Sequence, residues 1–197
     1  LGLETSDPNL SRAMQWLNVS YSMWFNRRHQ RSGHLFQGRF QAVLVDWPGW
    51  GLELTRYMHL NPVRVKGLGL SKADRGRHRQ GVGKGADREV GLGRLEALNG
   101  YRWSSYGATI GREVAASWLN VGKVLDLMPS RSLGQRQREY QAWVESALLQ
   151  GLNESPWEQL RGQVVLGSEE FVAELEPLLK GNRREQGDLK RLKFRPA

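Results

Sequence analysis

The chain opens with apolar positions at helical spacing. Five apolar residues recur at intervals of three or four: Leu10, Met14, Leu17, Tyr21 and Trp24. This spacing places them on one stripe of a helix. Asp7-Pro8 before them is typical of a helix start, because Asp caps free N–H groups and Pro lacks one. We predict a helix that ends at about Asn26 or Arg28.

The pattern changes at Ser32-Gly33. Residues 35–46 are rich in β-branched and aromatic side chains, which predicts a strand. Asp46 and Pro48 then favour the start of a second helix, although Gly49 and Gly51 weaken it by up to ~1 kcal/mol each. This helix should end at Asn61-Pro62, because the residue before proline leaves the α region.

The rest of the chain divides into a basic, glycine-rich segment and further helical patterns. Residues 68–98 carry few apolar side chains and are interpreted as a flexible basic insertion. Helices are predicted near Leu119–Met128, over about Arg136–Leu149, and from a cap at Ser168.

Composition narrows the class of protein. The 197 residues carry a formal net charge of +9, with a pI near 10.2. That surplus favours a polyanionic partner, although a merely basic soluble protein fits it equally well. There is no cysteine, which excludes disulfides and thiolate sites. No apolar run is long enough to span a membrane, so we expect a cytoplasmic protein.

The histidines alone give no metal site. His29, His34, His59 and His78 form no pair at ligand spacing, and each is interpreted as a surface or loop residue.

Tyr57 and Asn61 are more informative. They lie four residues apart on the predicted second helix, so they share one face. A phenol beside an amide that can bind a hard cation suits a metal-assisted nucleophile. The alternative is a packing tyrosine followed by a helix stop.

Four ordered blocks over about residues 9–107 carry a resemblance to a known family. They are Phe25-Asn26-Arg27-Arg28-His29, Gly33-His34-Leu35-Phe36-Gln37-Gly38-Arg39-Phe40, Arg56-Tyr57-Met58-His59-Leu60-Asn61-Pro62-Val63-Arg64 and Tyr101-Arg102-Trp103-Ser104-Ser105-Tyr106. The chain resembles the REP-associated tyrosine transposases, which belong to the HUH superfamily of single-strand nucleases.

The resemblance implies a transposase acting on single-stranded DNA. Tyr57 would attack phosphorus, form a 5′-phosphotyrosine and release a 3′-OH. A divalent metal ion, Mg²⁺ or Mn²⁺, would be held by Asn61 and by two histidines of a His-hydrophobe-His strand. That strand aligns just before Leu1, so we expect the chain as given to be inactive or impaired.

The resemblance also implies a fold and a domain division. We expect an α/β (α+β) fold: a ferredoxin-like antiparallel sheet with packed helices, incomplete at its N-terminal end. The catalytic domain would span residues 1–107, with the insertion at about 68–98. Residues 108–197 would form an α-helical C-terminal extension.

Single-stranded or hairpin DNA is the expected partner, and the number of protomers, one or two, stays open. Phosphate contacts are assigned to five arginines: Arg27, Arg28, Arg31, Arg39 and Arg64. Trp24, Phe36 or Phe40 would stack on bases, against the alternative that these rings belong to the core. The rival functions are a non-catalytic nucleic-acid-binding protein, either a transposon remnant or a domesticated binder, and an RNA-binding protein.

Overall fold

The computed structural model of the chain is mostly helical where it describes the chain, which is over residues 2–64, 68, 88–150, 155–162 and 164–180. Seven helices lie in these residues: α1 (Leu10–Arg28), α2 (Trp47–Leu60), α3 (Arg88–Gly100), α4 (Tyr106–Thr109), α5 (Val121–Leu125), α6 (Leu133–Gln150) and α7 (Glu169–Lys180). Two strands are described, β1 (Leu44–Val45) and β2 (Val165–Leu166), as are the 3₁₀ turns Asn61–Val63 and Pro156–Gln159.

The antiparallel, ferredoxin-like sheet predicted from the resemblance is wrong. The described residues contain one two-stranded sheet, and its strands are parallel, with Leu44 opposite Val165 and Val45 opposite Leu166. Most of the strand predicted over residues 35–46 is irregular. A strand needs a neighbour for its backbone hydrogen bonds. Here only the end of the segment has one, through Leu44 N–H to the Val164 carbonyl at 2.8 Å.

Helix α1 confirms the first predicted helix, with a different start. It begins after Asn9 rather than at Asp7-Pro8, and no side chain caps it. None of its residues is fully buried. In the predicted apolar stripe Leu10 and Met14 are partly buried, whereas Leu17, Tyr21 and Trp24 are exposed. Several of its large apolar side chains are exposed, with Trp16 and Met23 the most open to solvent.

The chain forms two compact units by its contacts. One comprises the chain up to Asp46 and from Leu160 onward. It contains α1, both strands and α7, whose N-terminus is capped as predicted: the Ser168 hydroxyl accepts the Phe171 N–H at 3.2 Å. The other unit is Trp47–Gln159. The boundary near residue 107 that the resemblance implies stays a prediction.

The second unit contains the main described core. Its buried members come from helices α2 to α6 and the turn after α2, and they are Leu60, Val63, Leu98, Tyr106, Leu125, Tyr140, Val144, Ala147 and Leu148. Helix α6 confirms the predicted helix over about Arg136–Leu149 and its buried face. Helix α5 confirms the helix predicted near Leu119–Met128, but it is shorter than predicted.

The prediction of a flexible insertion is wrong for its C-terminal part, which forms helix α3. Residues 69–87 of the predicted insertion lie outside the described residues. Arg94 is 5% exposed, and its guanidinium donates to the carbonyls of Leu68 and Leu148 at 2.8 and 2.9 Å. Leu98 is buried in the core. The helix is therefore held by tertiary contacts that its glycine-rich sequence did not indicate.

Candidate active site around Tyr57

Helix α2 positions the candidate nucleophile. The Trp47 indole N–H, at its start, donates to the Lys123 carbonyl at 3.2 Å. Gly51 allows close packing one turn later, since a Cβ there would lie 2.7 Å from Leu127 Cδ1. The helix ends at Leu60, and Asn61-Pro62 opens a 3₁₀ turn. Both ends of the helix were predicted correctly.

Tyr57 lies on the half-buried side of α2, between a cation and an indole. The guanidinium carbon of Arg64 lies 3.8 Å from the centre of the phenol ring. Trp157 meets the same ring edge-on, with centroids 5.5 Å apart. A guanidinium over an aromatic face is an attractive contact. It also keeps a positive charge beside the group that would attack a phosphate.

Asn61 lines a cleft at the end of α2. It is exposed, and its carbonyl accepts the Arg64 N–H at 3.2 Å. Asn61 lines an open cleft of about 310 Å³, together with Met58, Pro62, Tyr101, Trp103 and Ser104. Tyr57 is not part of this lining. The shared face predicted for the phenol and the amide stays a prediction.

Tyr101 and Trp103 also line this cleft, a position that the sequence did not predict for them. Both are exposed and line the cleft beside Asn61. The Arg102 guanidinium stacks on Trp103, 4.3 Å from the ring centre. The sequence signal is the triplet Tyr101-Arg102-Trp103, which combines a cation with two aromatic rings; surfaces that bind single strands use both kinds of side chain.

The five arginines assigned to phosphate contacts fall into two groups. Arg27 and Arg28 occupy the last turn of α1, and Arg31 and Arg39 follow it; all four are exposed. They belong to the unit that contains α1. Arg64 belongs to the unit of Tyr57.

His59 is buried, so its interpretation as a surface or loop residue is wrong. It is 4% exposed. Its Nε2 lies 2.8 Å from the Ser105 hydroxyl, and its Nδ1 lies 2.8 Å from the Tyr140 hydroxyl. Burial lowers the pKa of His59 to about 4, so the ring is neutral at physiological pH.

Two tyrosines complete this buried group. The Tyr106 ring packs against His59 with centroids 5.6 Å apart, and its hydroxyl donates to Glu145 at 3.1 Å. Burial raises the pKa of Tyr106 and of Tyr140 above that of an ordinary phenol. The signal for His59 was helical spacing: it follows buried Thr55 by four residues.

The described residues do not fit the divalent metal ion that the resemblance implies. No group of three or more His, Cys, Asp or Glu side chains among the described residues could hold a metal. Asn61 contributes one amide oxygen at the cleft, whereas a divalent ion bound by protein oxygens needs several ligands. The described residues therefore do not form the expected metal centre.

Two further observations bear on function. No helix in the described part of the chain combines the length and apolar character needed to cross a membrane. No family model matches the chain, and neither the curated proteins nor the solved structures include a significant match to it.

Proposed function

We propose that this chain acts on single-stranded DNA as a tyrosine transposase, with Tyr57 as the nucleophile. The observation that carries the proposal is the Arg64 guanidinium 3.8 Å from the centre of the Tyr57 ring. This pair lies within the motif Tyr57-Met58-His59-Leu60-Asn61-Pro62-Val63-Arg64, which resembles the block around the nucleophile in the transposase family.

The proposed reaction is a transesterification. The phenol gives up its proton to solvent, and its oxygen forms a bond to phosphorus. The bond from phosphorus to the 3′ oxygen breaks, and that oxygen takes up a proton to become a 3′-OH. The product is a 5′-phosphotyrosine, which keeps the energy of the broken ester for later joining. A phenol is a weak nucleophile when protonated, and the positive charge of Arg64 would attract a phosphate to the neighbourhood of the ring.

The charge of the chain supports a polyanionic substrate. A net charge of +9 favours association with nucleic acid through release of counterions. The four exposed arginines of the α1 unit add to this, and so does the stacked Arg102 at the cleft. Single-stranded or hairpin DNA is the proposed substrate form, and Mg²⁺ or Mn²⁺ the proposed metal, with Asn61 as one ligand. That metal would need ligands beyond those of the described residues.

A covalent-adduct assay tests this function. The protein, extended at its N-terminus by a strand that carries a His-hydrophobe-His pair, would be incubated with a pool of single-stranded DNA and Mn²⁺ and then denatured, and protein that retains labelled DNA would be counted. Tyr57→Phe should abolish the adduct and leave binding nearly intact, because it removes the attacking oxygen and little volume. Asn61→Ala should reduce the adduct and raise the Mn²⁺ concentration required.

Tyr106→Phe is the matched control, since it also removes one phenolic oxygen. That hydroxyl is bonded to Glu145 inside the unit, so the adduct should persist. An adduct that survives Tyr57→Phe would overturn the assignment of the nucleophile.

A second function is favoured by one observation: Tyr57 packs against Trp157 and does not line the cleft of Asn61. A tyrosine used only for packing fits a non-catalytic protein that binds single strands. The two functions separate in the same assay. Tight binding with no adduct under any metal condition supports the binding protein.

A further inference from the structure

An exposed cluster of aromatic rings lies beside the C-terminal half of α1. The Tyr21 ring lies 5.7 Å from the Trp24 ring and 6.3 Å from the Phe36 ring, between centroids. The three side chains are 45%, 58% and 44% exposed, respectively. We call Tyr21, Trp24 and Phe36 the aromatic platform. Three large rings gathered at a surface, each close to half exposed or more, differ from the singly scattered apolar residues that most surfaces carry.

The charge around the platform has one sign. Between Asp7 and Asp46 the sequence contains five arginines and no acidic residue. Arg27 and Arg28 lie in the turn that follows Trp24, and both are exposed. The Arg31 guanidinium lies 6.0 Å from the ring of Phe25, which itself stands 6.0 Å from Tyr21. The rings are thus bordered by cations, without carboxylates from this segment to neutralise them.

The combination of exposed rings and neighbouring arginines suits a single strand better than a duplex or an apolar protein surface. An apolar protein surface would cover the rings but would leave the arginines without counter-charges. A duplex would satisfy the arginines, but its bases are stacked inside and cannot reach the rings. A single strand offers both flat base faces and phosphates, and stacking on exposed aromatic side chains tolerates any base.

We propose that the aromatic platform binds unpaired bases of a single-stranded nucleic acid while the arginines beside it contact the phosphates. The inference rests on the proposed function for its ligand class, and it assigns that binding to the unit of α1. It does not depend on chemistry at Tyr57. Its test is therefore an equilibrium measurement made in the Tyr57→Phe background, where no covalent step can occur.

The experiment measures binding of a fluorescent oligothymidylate of about 15 nucleotides, a length within the range that such surfaces cover. Adding Trp24→Ala and Phe36→Ala together should weaken binding at least about tenfold, since each stacked base contributes a large factor. The slope of log affinity against log salt should stay unchanged, because neither ring releases counterions. Trp118→Ala is the control: Trp118 is 81% exposed but belongs to the other unit, and affinity should persist.

Binding to single-stranded RNA and to duplex DNA shows whether the rings recognise unpaired bases. Oligouridylate offers the same base faces and phosphates, so the double variant should lose a similar factor there. A duplex of the same length should bind the double variant and the parent equally. Loss of the same factor with duplex DNA would overturn the proposal, as would unchanged affinity for both single strands.

Two further measurements protect the test against misfolding and against a different occupant. An oligonucleotide carrying 5-iodouracil, irradiated on the parent protein, should cross-link to Tyr21, Trp24 or Phe36; cross-links confined to the other unit would overturn the proposal. Sedimentation tests whether a second copy of the chain covers the platform. A dimer that the double variant dissociates, with DNA affinity unchanged, would also overturn it.

Discussion

The Nδ1 atom of His59 lies 2.8 Å from the hydroxyl of Tyr140, in the interior of the unit that carries Tyr57. The same imidazole contacts the Ser105 hydroxyl through Nε2. His59, which belongs to the Tyr57 motif, is thus hydrogen-bonded to Tyr140 of helix α6 and to Ser105, the residue just before α4. This buried contact fixes the rotation of α2 about its axis, and the other side of the helix presents Tyr57.

Removing the Tyr140 hydroxyl should destabilise the protein. Tyr140 is fully buried, and Tyr140→Phe would leave the His59 nitrogen without this hydrogen bond. We expect the free energy of unfolding to fall by about 1–3 kcal/mol, measured by urea denaturation. Tyr101→Phe is the control: its ring is exposed, so the change should stay within about 0.5 kcal/mol. Equal effects of the two variants would contradict the buried hydrogen bond.

Stability should fall as the pH is lowered through the range in which an unfolded histidine titrates. Burial lowers the pKa of His59 to about 4 in the folded chain, against about 6.5 when unfolded. The unfolded state therefore binds the proton first as pH falls, and folding opposes that uptake. We expect the contribution of His59 to fall by about 2 kcal/mol between about pH 7.5 and about pH 5.

Two histidine variants show whether His59 causes this loss of stability at low pH. His59→Gln should lower stability at neutral pH and remove most of the pH-dependent fall. His34→Gln changes an exposed residue of the other unit, so the fall should be retained. Urea titrations across the pH range measure both. A His59→Gln protein with the parent's pH dependence would show that another group is responsible.

Two glycines in helices should respond to alanine with opposite signs. A Cβ at Gly51 would lie 2.7 Å from Leu127 Cδ1 and 2.9 Å from the Trp47 ring. Gly51→Ala should therefore cost about 1–3 kcal/mol, because overpacking outweighs the better helix propensity. Gly93, within α3, has open space where its Cβ would be. Gly93→Ala should stabilise the protein by up to about 1 kcal/mol. Thermal unfolding of both variants would show the sign directly.

Local patterns predicted the helices better than the sheet. Helix α2 has Asp46 and Pro48 at its start and Asn61-Pro62 at its end, and these signals act within a few residues. A strand depends on distant partners, so the composition of residues 35–46 could not show that only Leu44–Val45 would pair. Helix α3 was missed for the same reason, since its stability comes from burial of Arg94 and Leu98.

The sequence named residues for the candidate site, and their role stays a prediction, but it did not give their arrangement. Helical spacing gave the relation between Tyr57 and Asn61, yet the ends of the two side chains meet different surroundings. The stacking of Arg64 on Tyr57 is a contact across the 3₁₀ turn, whose geometry spacing alone does not specify. The burial of His59 follows from the same periodicity as Leu54 and Thr55, but histidine is more often an exposed residue.

The most direct test of the central claim maps the amino acid to which DNA becomes joined. A random single-stranded pool with bridging sulfur in place of the 3′ oxygens makes the leaving group a thiolate. A thiolate leaves more readily than an alkoxide and returns poorly to phosphorus, so even a slow reaction accumulates adduct. After trypsin digestion, mass spectrometry should find a nucleotide on the peptide Tyr57–Arg64, in which Tyr57 is the sole tyrosine. A nucleotide on another tyrosine, with the Tyr57–Arg64 peptide recovered unmodified, would contradict the assignment of Tyr57 as the nucleophile.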